Sequence, residues 1–322
     1  MTDLSVKLPG ITLNNPVMPA SGTAAYGQEL AQQLDLGALG ALVIKSTTAE
    51  AKVGNAWPTT AHTTGGWLNA VGLKNPGIEV VLEEKLPWLA THYPTLPIVG
   101  SVAGATEDEY VTVAQKMASA TNVALLEINI SCPNVAHGGL AFGTDPVVVE
   151  QLTRRIKAAV DKPIMMKLTP NVTDITVIAA AAERGGADGF TMINTLTGLS
   201  FDLATRQPLL ANGTGGLSGA ALHPIAVRMI RQVRQQSRLP IIGVGGNFSA
   251  EDVLEMLIAG ANAVQIGAAT YGQPTACTDI IADLPAVMEK YGIDSLQTLI
   301  DQTLADVAPA EKASLKNNPD SL

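Results

Sequence analysis

The sequence predicts an α/β fold, a (β/α)8 TIM barrel forming one domain over residues 1–322, and three observations carry that prediction. Eight short apolar or alternating runs recur along the chain with helix-compatible stretches between them. Nearly every run ends in a residue of functional type, as expected where a barrel builds its site at the carboxyl ends of its strands. Hydrophobic residues make up 47% of the 322 and charged residues only 15%, so the chain can bury the large core a barrel needs.

In chain order, Leu4 to Leu13, broken by Pro9-Gly10, predicts a short hairpin ahead of a barrel running from about residue 15 to 290. The eight predicted strands are Val17–Ala20, Ala41–Lys45, Ile98–Val102, Leu125–Ile130, Ile164–Leu168, Gly189–Ile193, Pro240–Val244 and Ala263–Ile266. Between them, Thr106 or Glu107 opens a helix that runs to Ala120, and Ser249 opens another that Gly260 ends. Two connections are longer than a plain strand-to-helix loop, Thr47 to Pro76 and Leu196 to Ala221, and both are read as lids or pocket walls. The tail over 309–322 is polar and is expected to fray. An open doubly wound sheet is the competing architecture; the strand-end residues favour the barrel.

The formal charge of −9 gives no electrostatic footprint for nucleic acid or anionic lipid. The start lacks the apolar core of a secretory signal and no run approaches a membrane span, so the expectation is a cytoplasmic protein without nucleic-acid or membrane partners. Cys132 and Cys277 are the only cysteines, which excludes a disulfide framework or a four-thiolate metal site within one chain, and no metal is expected. Cys277, in a predicted helix, reads as a small buried hydrophobe. Cys132 instead follows the alternating run Glu127 to Ile130 and is flanked by Asn129, Pro133 and Asn134, which places a proton-transfer group where a strand meets solvent.

Gly245-Gly246 and Gly267-Ala268 end the seventh and eighth strands, where small side chains let backbone N–H groups approach an anion. The helices that follow aim their amino ends at the same place. A phosphorylated ligand or cofactor is therefore expected. Lys45 and Lys167 close two apolar strands, with buried stems and ammonium groups at the pocket. Either could meet a ligand carboxylate, form a Schiff base, or stabilise negative charge on a reduced flavin. Asn69, Asn129, Asn194 and Thr195 add groups that both donate and accept, an inventory suited to a ring bearing amide or imide functions. The segment Gly213 to Gly219 is no dinucleotide fingerprint, because Ser218 stands at its last glycine place. His137 invites a Cys/His nucleophile pair with Cys132, which proximity in sequence alone does not support.

Asn129-Ile130-Ser131-Cys132-Pro133-Asn134, Asn69-Ala70-Val71-Gly72-Leu73-Lys74-Asn75-Pro76-Gly77, Met192-Ile193-Asn194-Thr195 and Gly213-Thr214-Gly215-Gly216-Leu217-Ser218-Gly219 together resemble the dihydroorotate dehydrogenases, from about Leu4 to about Ile300. The resemblance implies an FMN-bearing barrel that oxidises dihydroorotate to orotate in pyrimidine (UMP) synthesis. A cysteine base marks the soluble class, whereas the membrane-associated class uses serine and carries an N-terminal extension. Cys132 to Gly139 followed by Ala141-Phe142-Gly143-Thr144-Asp145 is similar to the NAD-linked type B catalytic subunit rather than the fumarate-linked type. That similarity implies a heterotetramer, a homodimer of this chain with two electron-transfer subunits carrying FAD and a [2Fe-2S] cluster; the alternatives are the fumarate-linked type and, more remotely, a Schiff-base aldolase or isomerase on a phosphate-binding barrel.

By the same resemblance, Cys132 takes the proton from substrate C5 while hydride leaves C6. Lys45, Asn69, Ala70, Val71, Gly72, Leu73, Asn129, Asn194 and Thr195 hold the substrate. Ser21, Lys45, Ser46, Asn129, Lys167, Ile193, Gly219, Gly245, Gly246, Gly267 and Ala268 hold FMN, with Lys167 beside the flavin edge that becomes anionic. Three positions depart from the family pattern: Ser101 where Asn is usual, Ala268 where Thr is usual, and Thr59 after Pro58 where Arg is usual. Each departure is expected to cost a hydrogen bond or ion pair near the flavin or its lid.

Overall fold

The computed structural model describes residues 2–130 and 139–307, so Cys132 and His137, with the rest of the 131–138 segment and the 308–322 tail, lie outside the described residues. Eight parallel strands form one sheet: β1 (Val17–Pro19), β2 (Leu42–Val43), β3 (Ile98–Val102), β4 (Val123–Asn129), β5 (Ile164–Leu168), β6 (Gly189–Met192), β7 (Ile241–Val244) and β8 (Ala263–Ile266). The ladder runs β1-β8-β7-β6-β5-β4-β3-β2, and the N–H of Gly40, just ahead of β2, donates to the carbonyl of Val17 in β1 at 2.9 Å. That bond brings the two ends of the sheet together, and the architecture is the TIM barrel that the sequence predicts. Every residue of β3 and β5 is buried, as strands covered on both faces must be.

The predicted second strand narrows from Ala41–Lys45 to Leu42–Val43 because the Lys45 N–H leaves the ladder and donates to Ala25 at 2.8 Å. The fourth begins two residues early, at Val123, and the seventh begins after Pro240, which has no N–H to offer.

Helices clothe the barrel, and their ends follow the expected chemistry. Thr106 Oγ1 accepts the Glu109 N–H at 3.1 Å to open Glu107–Ser119. Ser249 and Asp252 exchange side-chain and backbone bonds in a capping box ahead of Ala250–Ala259. Gly260 ends that helix at φ 123°, where a Cβ would lie 2.5 Å from Arg234 Cγ. Arg234 itself is 1% exposed and donates to Gly260 O, Ser237 O and Asn262 Oδ1, tying together the helices behind β7 and β8.

The N-terminal hairpin pairs Val6–Leu8 with Ile11–Leu13 and packs beside Pro163, at the amino end of β5. The two long connections meet in one four-stranded antiparallel sheet, ordered Leu196–Gly198, Gly215–Ser218, Gly66–Asn69, Thr60–Thr63. Its glycines are sites of close approach: a Cβ on Gly66 would fall 2.0 Å from Ser218 O, and one on Gly216 would fall 2.0 Å from Thr195 Oγ1. No helix among the described residues is long and apolar enough to cross a membrane.

Candidate active site at the carboxyl end of the barrel

The carboxyl ends of the strands and the antiparallel sheet enclose a cavity of about 1090 Å³, open solvent at its mouth included. From β1 and β2 come Ser21, Lys45 and Ser46, from β4 Asn129, from β5 Lys167, and from the end of β6 Ile193, Asn194 and Thr195. The segment from Asn69 to Leu73 forms a side wall, anchored where Asn69 Nδ2 donates to Gly216 O at 3.2 Å and Asn55 Nδ2 donates to Ala70 O at 2.9 Å.

The wall's root is fixed by Asn75, buried and bonded on both ends of its amide. Its Nδ2 donates to Thr48 Oγ1 at 2.9 Å and Leu73 O at 2.7 Å, while its Oδ1 accepts from the N–H groups of Gly77 at 2.9 Å and Thr48 at 3.3 Å. Asn129 is held from three sides. Its Nδ2 donates to Ser46 Oγ at 3.1 Å, its carbonyl accepts the Tyr110 hydroxyl at 2.8 Å, and its Oδ1 accepts Asn194 Nδ2 at 3.3 Å.

At the far end, Gly245 and Gly246 have φ of 128° and 72°, a backbone path that only glycine follows without strain. A Cβ on Gly246 would lie 2.5 Å from the backbone N of His223, the first residue of helix His223–Arg234. The helix end packed against this glycine thus follows β6, not β7. After β8 come the four-residue helical turn Ala269–Gly272 and then the helix Ala276–Lys290. Ser218 Oγ, on the cavity wall, is buried and has no partner among the described residues. Lys45 and Lys167 are the charged residues lining the cavity among the described residues, and Lys167 is paired with the buried Glu127 carboxylate at 3.0 Å.

Set against known proteins, residues 3–288 match the family model described as dihydroorotate dehydrogenase. The chain belongs to the dihydroorotate dehydrogenase family. It is 74% identical over 302 residues to the Lactiplantibacillus plantarum protein called dihydroorotate dehydrogenase A (fumarate), covering 94% of this chain and 99% of that one. A Pediococcus pentosaceus protein, called a putative enzyme of the same fumarate type, is 65% identical over 92% of this chain and 98% of its own. The Enterococcus faecalis protein called dihydroorotate dehydrogenase B (NAD(+)), catalytic subunit, is 56% identical over 93% of this chain and 96% of its own. The chain is therefore an oxidoreductase of this family.

Of the residues that sequence reasoning assigned to substrate or cofactor, Ser21, Lys45, Ser46, Asn69, Val71, Gly72, Leu73, Asn129, Lys167, Ile193, Asn194, Thr195, Gly219, Gly245, Gly246, Gly267 and Ala268 all line this cavity. Ala70 does not. It alternates to the other side of its segment and is buried beside Leu68 and Leu210. Cys132 lies outside the described residues.

Glu127 and Gln265 were not singled out, although both touch Lys167 from below. Each interrupts an apolar run, and a buried carboxylate or amide there demands a partner, so the signal was available. Tyr271 and Leu222 also line the pocket, brought there by connections that carry no local signature.

Proposed function

We propose that this chain oxidises dihydroorotate to orotate with FMN bound in the barrel mouth, and that fumarate takes up the electrons. The observation that carries the reading is the cavity itself, lined by two lysines, by the amides of Asn69, Asn129 and Asn194, and by the small residues Gly245, Gly246, Gly267 and Ala268. The residues fit FMN. Gly245, Gly246, Gly267 and Ala268 line the cavity with little or no side chain, so their backbone can approach a phosphate closely. The buried Ser218 hydroxyl and the Lys167 ammonium offer donors to the rest of such a molecule. When bound, FMN would supply the hydride acceptor that no side chain can provide.

The chain's own residues would do the remainder. Lys45 would meet the substrate carboxylate, while Asn69, Asn129, Asn194 and Thr195 would bond its ring amides and fix which carbon faces Cys132. Cys132 would accept the proton from C5. The Asn69 to Leu73 wall would exclude water from that transfer. A Schiff-base role for Lys167 is disfavoured, because its ammonium is bonded to the buried Glu127 carboxylate at 3.0 Å.

Support for fumarate comes from the relatives at 74% and 65% identity, both of which carry that name. The NAD-linked reading, with FAD and a [2Fe-2S] cluster in a partner subunit, rests on the motif from Cys132 to Asp145 and on relatives at 53–56% identity that carry the type B name. Purified alone and mixed anaerobically with dihydroorotate, the chain is expected to bleach its flavin and to recover colour on adding fumarate. Recovery with NAD only, and only after a partner subunit is supplied, would reverse the acceptor assignment. No bleaching would remove the activity.

A further inference from the structure

Four polar side chains stand among apolar neighbours in the barrel strands: Ser101 on β3, Glu127 on β4, Lys167 on β5 and Gln265 on β8. All four are buried, Glu127 and Gln265 with no exposure at all. Glu127 Oε1 accepts from Lys167 Nζ at 3.0 Å and from Ser101 Oγ at 3.4 Å, and its Oε2 accepts from Gln265 Nε2 at 2.6 Å. Lys167 Nζ also donates to Ser21 Oγ at 3.0 Å and to Gln265 Oε1 at 3.4 Å. The ammonium is thereby aimed from three strands at one point of the cavity wall.

Of this pair only Lys167 lines the cavity; Glu127 sits one layer beneath it. Stability does not explain such a pair, since two well-packed apolar residues serve a core as well or better. The carboxylate has a second reach as well. Through Ser101 Oγ it connects to Ser46 Oγ at 2.8 Å, and through Ser46 to Asn129 Nδ2 at 3.1 Å, so one anion is linked to both the lysine and the Asn129 amide.

We propose that Glu127 is a positioning residue for the reaction: it holds the Lys167 ammonium at the cavity wall and, as its counter-ion, sets the net charge that a bound flavin meets there. This rests on the FMN reading above. A full negative charge 3.0 Å from Nζ cancels most of the field Lys167 would project into the pocket. Replacing it by a neutral group of the same shape leaves the lysine charge uncompensated, and an uncompensated cation favours the anionic, reduced flavin over the oxidised one.

The test is the two-electron midpoint potential of bound FMN, measured by anaerobic spectroelectrochemical titration on the full chain and its Glu127→Gln and Glu127→Asp variants. Glu127→Gln is expected to raise the ratio of reduced to oxidised flavin at a fixed ambient potential at least tenfold, a shift of about +30 mV. Glu127→Asp keeps the charge but withdraws it by one methylene, and is expected to shift the same way by less. In a Lys167→Met background the Glu127→Gln shift should fall below about threefold, because the effect runs through the lysine. A role confined to packing would lower flavin content yet leave the potential of the flavin that does bind unmoved. Wild-type chain that takes up no FMN overturns the flavin reading and this assignment with it. Wild-type chain that binds FMN, with unmoved or more negative potentials in both variants, overturns this assignment alone.

Discussion

Gly246→Ala tests the glycine cradle most directly, because the structure supplies its own control at Gly267. Gly246 has φ +72°, and its added Cβ would lie 2.5 Å from His223 N and 2.7 Å from His223 Cβ. Both neighbours belong to the first residue of helix His223–Arg234, so no flexible side-chain end can move aside. The left-handed backbone costs about 1–2 kcal/mol for a residue with a Cβ. Forcing a methyl into packed backbone adds roughly 1–3 kcal/mol. The sum, about 2–5 kcal/mol, corresponds to a thermal midpoint lowered by about 3–7 °C in the apo-protein.

If relief comes instead by moving the Gly245-Gly246 backbone, the glycine lining of the cavity shifts, and FMN affinity should fall at least tenfold, about 1.4 kcal/mol. At Gly267 the nearest atom to an added Cβ is Ala20 Cβ at 3.7 Å, an ordinary contact. Gly267→Ala should therefore leave the apo-protein midpoint within about 1–2 °C of wild type. Differential scanning calorimetry of the two apo-variants, with fluorescence titration of FMN, decides the matter. Equal midpoints and an unchanged FMN affinity in Gly246→Ala would refute the steric reasoning and the cradle with it.

Cys132→Ser should slow anaerobic flavin reduction by orders of magnitude near neutral pH while FMN stays bound, as stopped-flow bleaching would record. Cys277 is 1% exposed, and burial, reinforced by the charge of Asp279, pushes its thiol up to about 12. In a Cys132→Ser background, labelling of native protein by a thiol reagent at pH 8 should be negligible until denaturant is added. The raised value also has a sign in stability. The unfolded thiol ionises near 9 while the folded one stays protonated, so its contribution is complete below pH 9 and is lost as pH rises toward 12, on the order of 4 kcal/mol in all. A Cys277→Ala variant should show a flatter decline in urea midpoint over that range. Asn75→Ala removes four hydrogen bonds at the root of the pocket wall and strands buried partners, which should cost about 2–4 kcal/mol and raise KM for dihydroorotate, read from urea unfolding and steady-state kinetics.

What the sequence makes legible divides along the range of the interactions involved. The strands of the barrel, the Ser249 cap and the Gly260 stop rest on neighbours within a few residues, and these were readable. Strand-end residues such as Lys45, Asn129 and Lys167 were readable too, because a parallel barrel sends every strand's carboxyl end to one face whatever the intervening helices do. The antiparallel sheet over the mouth was not, since Gly66–Asn69 and Gly215–Ser218 are separated by nearly half the chain and their glycines look like loop residues until the partner strand is beside them. The second layer failed differently. Glu127 was in plain view inside the segment that drew attention to Cys132, but its meaning depends on Gln265, 138 positions away, and on Lys167. A buried charge announces that a partner exists; only the closed ring of strands says which one. The inverse case is Ala70: Asn69, Val71, Gly72 and Leu73 line the cavity, while Ala70 follows Leu68 into the small core beneath them. Residues that line the cavity are thus recoverable from strand ends, whereas residues that hold those residues in place are recoverable only once non-local pairing is known.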